Sequence, residues 1–245
     1  MRSSIPRRTI RRWTAAAAAL SLALGLGVGA RAVGFGGEAA VLVPPPAVDN
    51  PPVDNVSGAT QVAVLAGGCF WGVQGVYQHV RGVQQVLSGY AGGTRETADY
   101  ETVSRGASRH AESVEIRFDP KEISYGEILQ IYFSVVHDPT QLDRQGPDVG
   151  PQYRSNIFYA DDTQKRIALA YIAQLDRARV FGRRIVTRVN PLGGFYPAEA
   201  YHQDFLIRNP TYPYIVVHDL PKLEHLKKTF PARYRERPIT AGKSR

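Results

Sequence analysis

The sequence contains almost no sulfur. Its 245 residues include one methionine, Met1, and one cysteine, Cys69. A single cysteine excludes a disulfide within the chain, and it excludes every metal site that needs two or more cysteine ligands. Any thiol chemistry of this chain must therefore use Cys69.

The net positive charge is small outside the N-terminus. The formal charge of +8 would suggest binding to nucleic acid, but residues 1–32 hold six arginines and no acidic residue. Residues 33–245 carry 24 basic and 22 acidic side chains, with no basic run before the C-terminal end. This distribution argues against a nucleic-acid partner. The content of 43% hydrophobic and 21% charged residues instead indicates a soluble globular protein.

The first 32 residues have the pattern of an export signal. Arginines at positions 7–8 and 11–12 precede an uncharged stretch over 13–30, and Ala30-Arg31-Ala32 supplies the small residues of a cleavage site. We predict a signal peptide over 1–32 and a periplasmic location. The alternative is an uncleaved membrane anchor, because the apolar run approaches the roughly 18 residues that span a bilayer. The paired arginines are compatible with either the general or the twin-arginine route.

The rest of the chain divides into three segments. Residues 33–58 contain five prolines in two short clusters, which exclude helix interiors and central strands and predict an extended linker. A catalytic domain is predicted over 59–235, and a short basic tail over 236–245. If the signal is cleaved, nothing in these three segments predicts a stable association with a membrane.

Strand and helix patterns alternate through the domain. Ala111–Phe118 alternates in hydrophobicity, as a half-buried strand does, and Ser124 with Glu127 forms a capping box before an apolar helix. Further strands are predicted at Gln61–Ala66, Val83–Ser88, Ile185–Val189 and Tyr214–Val217, and further helices directly after Cys69, from Asp161, and over Ala198–Leu206. This order predicts an α+β sandwich of two layers, in which helices cover one largely antiparallel sheet.

Cys69 is the first candidate for chemistry. A lone cysteine is most often a small buried apolar residue, but this one follows a strand and the Gly67-Gly68 pair. It also precedes a helix, whose unpaired N–H groups and dipole favour a thiolate. Phe70 and Trp71 come next and can wall a small apolar pocket, although core packing is the ordinary role of such residues. We interpret Cys69 as a nucleophile.

Glu112 is the second candidate. The alternation of its strand places its carboxyl on the same face as Val114 and Ile116, which should point into the core. Burial raises the pKa of a carboxyl, and a carboxyl that stays neutral can donate a proton. The alternative is a strand that starts one residue later, which would leave Glu112 at a solvated edge. The spacing alone does not choose between the two.

Four histidines suggest competing sites. Each has an acidic residue one or two positions away; they are His110, His137, His202 and His218. None has the spacing of a metal-binding motif, so no metal is predicted. A cysteine–histidine protease is the stronger competitor, because such enzymes also begin from a thiol at a helix start. Its local sequence signature is absent, and no partner histidine can be selected.

The sequence around Cys69 resembles a known family. Gly68-Cys69-Phe70-Trp71-Gly72 closely resembles the active-site signature of peptide methionine sulfoxide reductase A, the enzyme specific for the S epimer. The resemblance continues in order over residues 61–218. It includes 88–93 (SGYAGG), 100–103 (YETV), 110–112 (HAE), 137–139 (HDP), 144–150 (RQGPDVG), 153–155 (YRS) and 201–204 (YHQD).

The resemblance implies a fold and a set of roles. The fold is a two-layer α/β sandwich with a ferredoxin-like plait at its centre. Cys69 would be the nucleophile and Glu112 the acid that protonates the sulfoxide oxygen, with a sulfenic acid on Cys69 as the intermediate. The other carried-over positions are Tyr100 and Tyr153 as hydrogen-bond donors to that oxygen, Asp148 as support for the polar side, and Phe70 and Trp71 as the holders of the substrate methyl group.

Three departures from the family pattern affect these expectations. Arg109 stands where a small residue is usual, and Pro147 and Pro151 flank Asp148. Many family members also have C-terminal cysteines that resolve the intermediate, and this chain has none. The resemblance therefore implies repair of oxidised proteins and peptides, with an external thiol reductant such as a thioredoxin-type donor and no other cofactor. Thiol-dependent hydrolysis and a non-catalytic binding module remain the competing hypotheses.

Overall fold

The computed structural model describes residues 32–33, 40–50 and 60–242. The predicted signal peptide, except for its last residue, and parts of the predicted linker and tail lie outside the described residues. In the described part, no helix is both long and apolar enough to cross a bilayer.

A six-stranded sheet forms the centre of the domain. Its strands are β1 (Gln61–Ala66), β2 (Val83–Ala91), β3 (Ala111–Phe118), β4 (Asn156–Tyr159), β5 (Arg188–Pro191) and β6 (Phe195–Pro197). They lie in the order β6-β2-β3-β1-β4-β5. Every neighbouring pair is antiparallel except β4 and β5. The prediction of an α+β fold with a largely antiparallel sheet is confirmed.

Helices cover one face of this sheet. They are α1 (Phe70–Gln78), α2 (Tyr100–Ser104), α3 (Tyr125–Ile131), α4 (Asp162–Arg177), α5 (Phe205–Arg208) and α6 (Leu220–Thr229). Along β1, Ala63 and Leu65 belong to the large core under the helices, whereas Val64 and Ala66 belong to a small cluster on the opposite face. This alternation is the period of two that strands impose, and it gives the two-layer arrangement.

The helix starts follow from local sequence. The predicted capping box at α3 is present, because the Ser124 hydroxyl accepts from the Glu127 N–H and the Glu127 carboxylate accepts from the Ser124 N–H. At α4 the Asp161 side chain accepts from the Gln164 N–H. Such caps fix where a helix begins, and both helices begin within a residue of the predicted positions.

One predicted strand is wrong. Tyr214–Val217 reads as a short apolar strand, but Ile215–Asp219 forms a π-helical turn that leads into α6. Ile215 is fully buried, whereas Val216 and Val217 are 47% and 49% exposed. The apolar run Tyr214–Val217 is therefore buried on one side only, unlike a strand that is buried on both faces.

Two other boundaries differ from the predictions. The strand predicted at Ile185–Val189 begins only at Arg188, because the N–H groups of Ile185 and Val186 bond to the Asp176 carboxylate and the Pro139 carbonyl instead of to a strand. The helix predicted over Ala198–Leu206 is confined to α5. Asp204, directly before α5, has a φ of +56°, which is incompatible with a continuous helix.

Two segments outside the predicted limits of 59 and 235 pack on the domain. On the N-terminal side, Val43 is fully buried, and the Pro44 carbonyl accepts from the Tyr171 hydroxyl at 2.7 Å. On the C-terminal side, Ala241 is buried, and its N–H donates to Asp204 at 2.8 Å. We call residues 40–50 the N-terminal strap.

Candidate active site

Cys69 lies in the turn between β1 and α1, at the cap position of the helix. The turn requires glycine at position 68, where φ is +92° and an added Cβ would lie 2.6 Å from the Gln145 side chain. Cys69 is 9% exposed and therefore almost buried. The strand, the glycine turn and the helix start were all predicted from the sequence.

Glu112 lies beneath the start of α1. Its Oε2 atom accepts a hydrogen bond from the Phe70 N–H at 3.0 Å, and the residue is 2% exposed. It is paired with Tyr90 in the register of β2 and β3, one pair from the end of the ladder. The buried position predicted by the alternation is confirmed, and the solvated-edge alternative is wrong.

Burial controls the protonation of Glu112. It raises the pKa of this carboxyl to about 8, the charges of Asp148 and Asp219 add to the rise, and the Phe70 N–H opposes it. Near neutral pH the carboxyl therefore holds a proton. A protonated carboxyl that bonds to the residue next to a thiol, as Glu112 bonds to Phe70, can serve as a general acid.

The Cys69 thiol is also protonated in the resting site. Burial raises its pKa well above the ordinary value, and the charges of Glu112 and Asp219 raise it further. The Trp71 N–H lowers the pKa, as expected for a helix start, but burial outweighs it. The helix start therefore favours the thiolate, as expected, but it does not make the thiolate the resting form. Attack on a substrate must be coupled to loss of the thiol proton.

Trp71 is held on several sides. Its indole N–H donates to Nδ1 of His202 at 3.1 Å, and its ring stacks on Phe205 with centroids 3.8 Å apart. The edges of Tyr212 and Tyr214 meet it at right angles. Trp71 thus presents a rigid, partly exposed apolar surface beside Cys69.

Phe70 has the ordinary role of an aromatic residue, which is packing in the core. It is buried in the main core and packs between Tyr90 and His202. Its side chain supports the site from below, while its backbone N–H contacts Glu112.

Tyr100 and Tyr153 converge on Glu112 from two different segments. Tyr100 begins α2, and Tyr153 ends a single 3₁₀ turn over Pro151–Tyr153. In both, burial is the main cause of a raised pKa, and the Glu112 charge is the next largest cause. Both hydroxyls therefore keep their protons and can act as hydrogen-bond donors.

Asp148 lies in a two-residue strand that pairs with Arg144–Gln145. Its carboxylate accepts a hydrogen bond from the Tyr214 hydroxyl. Its charge contributes to the raised pKa values of both Cys69 and Glu112. The structure therefore brings together all seven site residues predicted from the sequence.

Asp219 was not singled out as a site residue. It is fully buried, and an added Cβ at Gly72 would lie 2.0 Å from its Oδ1 atom, so glycine is required there. Lys222 lies 3.4 Å from that oxygen. About 150 residues separate Asp219 from Cys69 in sequence, and no local signal connects them.

Each of the four histidines has other contacts, and His218 packs on the Tyr214 ring with centroids 4.8 Å apart. Burial lowers the pKa of His137 to about 3, and His202 accepts the Trp71 N–H rather than pairing with the thiol. His110 bonds to the Thr94 carbonyl at 2.9 Å. Among the residues that the structure describes, no group of three histidine, cysteine or acidic side chains could hold a metal ion.

Comparisons with known proteins identify the family. Residues 61–234 match the family model described as peptide methionine sulfoxide reductase. The chain is 58% identical to peptide methionine sulfoxide reductase MsrA 2 of Mesorhizobium japonicum, over 76% of this chain and 95% of that protein. It is 53% identical to MsrA 2 of Synechocystis, over 77% and 88%.

Solved structures give the same result. The reduced form of Mxr1 from Saccharomyces cerevisiae superposes with a TM-score of 0.57 at 31% identity, over 64% of this chain and 90% of that one. Methionine sulfoxide reductase A of Corynebacterium diphtheriae gives a TM-score of 0.55 at 31% identity, over 69% and 87%. The chain belongs to the peptide methionine sulfoxide reductase family.

Proposed function

We propose that the protein reduces methionine-(S)-sulfoxide, free or within proteins, to methionine through a sulfenic acid on Cys69. Its family makes it an oxidoreductase that acts on methionine sulfoxide in peptides and proteins. The observation that carries the finer proposal is the hydrogen bond of 3.0 Å between Glu112 and the Phe70 N–H. It fixes a protonated carboxyl beside the only thiol of the chain.

The first step transfers oxygen from one sulfur to another. Cys69 attacks the sulfoxide sulfur, and Glu112 protonates the oxygen while Tyr100 and Tyr153 donate hydrogen bonds to it. The sulfur–oxygen bond of the substrate breaks, and a sulfur–oxygen bond forms on Cys69. Two electrons pass to the methionine sulfur. The thiol proton returns to Glu112, so that methionine and a cysteine sulfenic acid are the products.

The choice of epimer follows from where the three groups on the sulfoxide sulfur lie. The oxygen lies toward Glu112 and the tyrosines, the methyl group lies on the Trp71 ring, and the rest of the substrate extends toward solvent. A sulfoxide sulfur of the opposite configuration cannot place its oxygen and its methyl group correctly at the same time. Asp148 supports the polar side through its bond with Tyr214.

The reductant must come from outside the chain. Because Cys69 has no second cysteine to condense with, an external thiol attacks the sulfenic acid and a second thiol releases the mixed disulfide. A thioredoxin-type donor supplies both thiols. This reductant and oxidised proteins or peptides are the proposed partners.

Location is a separate part of the proposal. The composition of residues 1–32 supports export to the periplasm with removal of the signal, and a signal anchor is the alternative. N-terminal sequencing of protein from the exported fraction should begin near Val33. Intact Met1 on soluble cytoplasmic protein would contradict export.

The centre of the sheet supports a further structural proposal. Strands β1 to β4 lie in the order β2-β3-β1-β4, all antiparallel, with α1 between β1 and β2 and α3 between β3 and β4. This is the order of a β-α-β-β-α-β plait of the ferredoxin-like type.

One assay tests the function. The protein is incubated with separated S and R epimers of a methionine-sulfoxide peptide and with dithiothreitol. We expect turnover of the S epimer only, and none with Cys69→Ser. Turnover of the R epimer, or activity that survives in Cys69→Ser, would contradict the proposal.

A further inference from the structure

A cavity of about 440 Å³ opens beside Cys69. Its lining includes Cys69, Gln145, Asp148, Tyr214 and Lys222, together with the loop Val180–Arg183. Its volume lies within the range of sites for small molecules, which is about 300–1,000 Å³. The cavity is large enough for a ligand of several heavy atoms.

The cavity is lined by Asp148, which supports the polar side of the proposed sulfoxide site, but not by the groups proposed to contact the oxygen and the methyl group. Glu112, Tyr100 and Tyr153, which would surround the oxygen, are not among its lining residues. Trp71, which would hold the methyl group, is not among them either. Under the proposed function, the oxygen of the Cys69 sulfenic acid would lie with Glu112 and the tyrosines, which do not line the cavity.

The second half of the cycle needs such an approach. A thiolate that attacks a sulfenic acid must come in line with the sulfur–oxygen bond, from the side opposite the departing oxygen. If that oxygen remains with Glu112 and the tyrosines, the attacking sulfur comes from the Asp148 side. The cavity occupies this side.

The cavity is lined by charged groups of both signs, which are Asp138 and Asp148 against Arg183 and Lys222. Arg183 is the cation that we consider for an acidic ligand. The Asp138 carboxylate is already satisfied by the Thr140 N–H at 2.9 Å and the Thr140 hydroxyl at 2.7 Å. Asp148 is bonded to Tyr214. Arg183 is exposed, and within the described part of the chain it forms no ion pair. An anionic group in the cavity would therefore find an available cation.

We infer that this cavity binds a low-molecular-weight thiol that carries an acidic group and reduces the oxidised Cys69. The inference rests on the proposed function, because it needs the sulfenic acid as its substrate. The thiolate bonds to the Cys69 sulfur, and the sulfur–oxygen bond breaks. The oxygen already carries the proton of the sulfenic acid; it takes one more proton from Glu112 and leaves as water, and the proton of the incoming thiol returns to Glu112. A second molecule of the thiol then reduces the mixed disulfide, which restores the Cys69 thiol and leaves an external disulfide.

Gly182 offers a way to fill the cavity without disturbing the core. It lines the cavity, and an added Cβ would meet no atom within 4 Å. Gly182→Phe places a ring in the open space, and Gly182→Ala is the matched small variant. Gly193→Phe is the remote control, because Gly193 also has open space around its Cβ and does not line the cavity.

Two measurements separate the half-reactions, with 2-mercaptoethanesulfonate as the thiol probe. Without any thiol, a single turnover on a sulfoxide peptide measures methionine release. With saturating peptide, the steady-state rate gives the KM for the thiol. We expect Gly182→Phe to keep the single-turnover rate and to raise the thiol KM about tenfold, equivalent to about 1.4 kcal/mol. The two control variants should resemble the original protein in both measurements.

Three results would have different meanings. An unchanged thiol KM in Gly182→Phe would overturn the inference. A single-turnover rate that falls as much as the thiol efficiency would also overturn it, because the cavity would then serve the sulfoxide substrate. Absence of methionine release in the original protein would instead contradict the proposed function.

The acidic group is tested through Arg183. At equal thiolate concentration, the original protein should use 2-mercaptoethanesulfonate more efficiently than cysteamine, which carries a positive charge. Arg183→Glu should reverse this preference while the single-turnover rate stays the same. Equal use of the two thiols by the original protein would overturn the acidic part of the inference.

Discussion

Glu112 and Cys69 both hold protons in the resting site, and this determines how the chemistry starts. Burial is the main cause of the raised pKa in each, and the Glu112 charge further raises the pKa of Cys69. Since the Glu112 carboxyl bonds to the Phe70 N–H, next to Cys69 in the chain, one group can pass a proton to the oxygen while the other loses a proton. Each residue can be tested separately.

Glu112→Gln should slow methionine release in a single turnover. A positioned general acid contributes about 10²–10⁴-fold to a rate, and the amide can donate a hydrogen bond but no proton. The rate is measured by rapid quench with an S-sulfoxide peptide, and alkylation of Cys69 by iodoacetamide confirms that the thiol is intact. A fall of less than about tenfold would assign Glu112 a structural role only.

The raised pKa of Glu112 also predicts how stability depends on pH. The folded protein keeps this proton up to a pKa of about 8, whereas the unfolded carboxyl loses it near its ordinary value of 4.5. Between these values the folded state binds more protons, so the free energy of unfolding falls as pH rises. The contribution is fully present below about pH 4.5 and is lost by about pH 8.

Glu112→Gln provides the reference for this measurement, because glutamine does not titrate. Urea unfolding of both proteins from pH 4.5 to pH 8 should show the original protein losing stability relative to the variant as pH rises. Parallel curves across this window would mean that Glu112 ionises normally in the folded protein.

The sequence predicts an extended linker where the N-terminal strap packs on the domain. Asp49 accepts hydrogen bonds from the Gly126 N–H at 2.8 Å and from the Ser124 hydroxyl, so it caps α3 in addition to the capping box. Val43 is buried in the core, and Val41 lines the cavity beside Cys69. The strap thus contacts both the start of α3 and the wall of that cavity.

Asp49→Ala should lower the free energy of unfolding by about 1 kcal/mol, the usual loss for a helix cap. Asp49→Asn is the matched control, because its amide oxygen can still accept from the Gly126 N–H. Urea midpoints of the two variants and the original protein measure the difference. A chain that begins at residue 59 should lose more stability than Asp49→Ala, since it also loses the buried Val43. Equal midpoints for the original and shortened chains would contradict a structural role for the strap.

The whole protein has one thiol, that of Cys69, and this limits its catalytic cycle. After one turnover, Cys69 is a sulfenic acid with no second cysteine in the sequence to condense with. Without reductant, methionine release should therefore stop at about one equivalent per protein. A sulfenic-acid probe should then label Cys69, and Cys69→Ser sets the background. A burst of about two equivalents would contradict the one-cysteine cycle.

The sequence determined the elements that depend on neighbouring residues. The glycine turn before Cys69, the capping box at Ser124 and the alternation that buries Glu112 are local patterns, and the structure confirms all three. They were predictable because a turn, a cap and a strand face each depend on residues a few positions apart. The resemblance to the family added the tyrosines and Asp148, which no local pattern indicates.

Tertiary structure decided the rest. The Tyr214 region reads as a strand by composition, yet its helical turn brings the hydroxyl to Asp148 and the Asp219 carboxylate to Gly72. The sign of the Cys69 shift also depended on the fold, since the helix start favours a thiolate and only complete burial shows which effect prevails. Contacts between residues more than 60 positions apart, such as Tyr214 and Asp148, leave no periodic signal in a sequence. They form because packing of the core makes them neighbours.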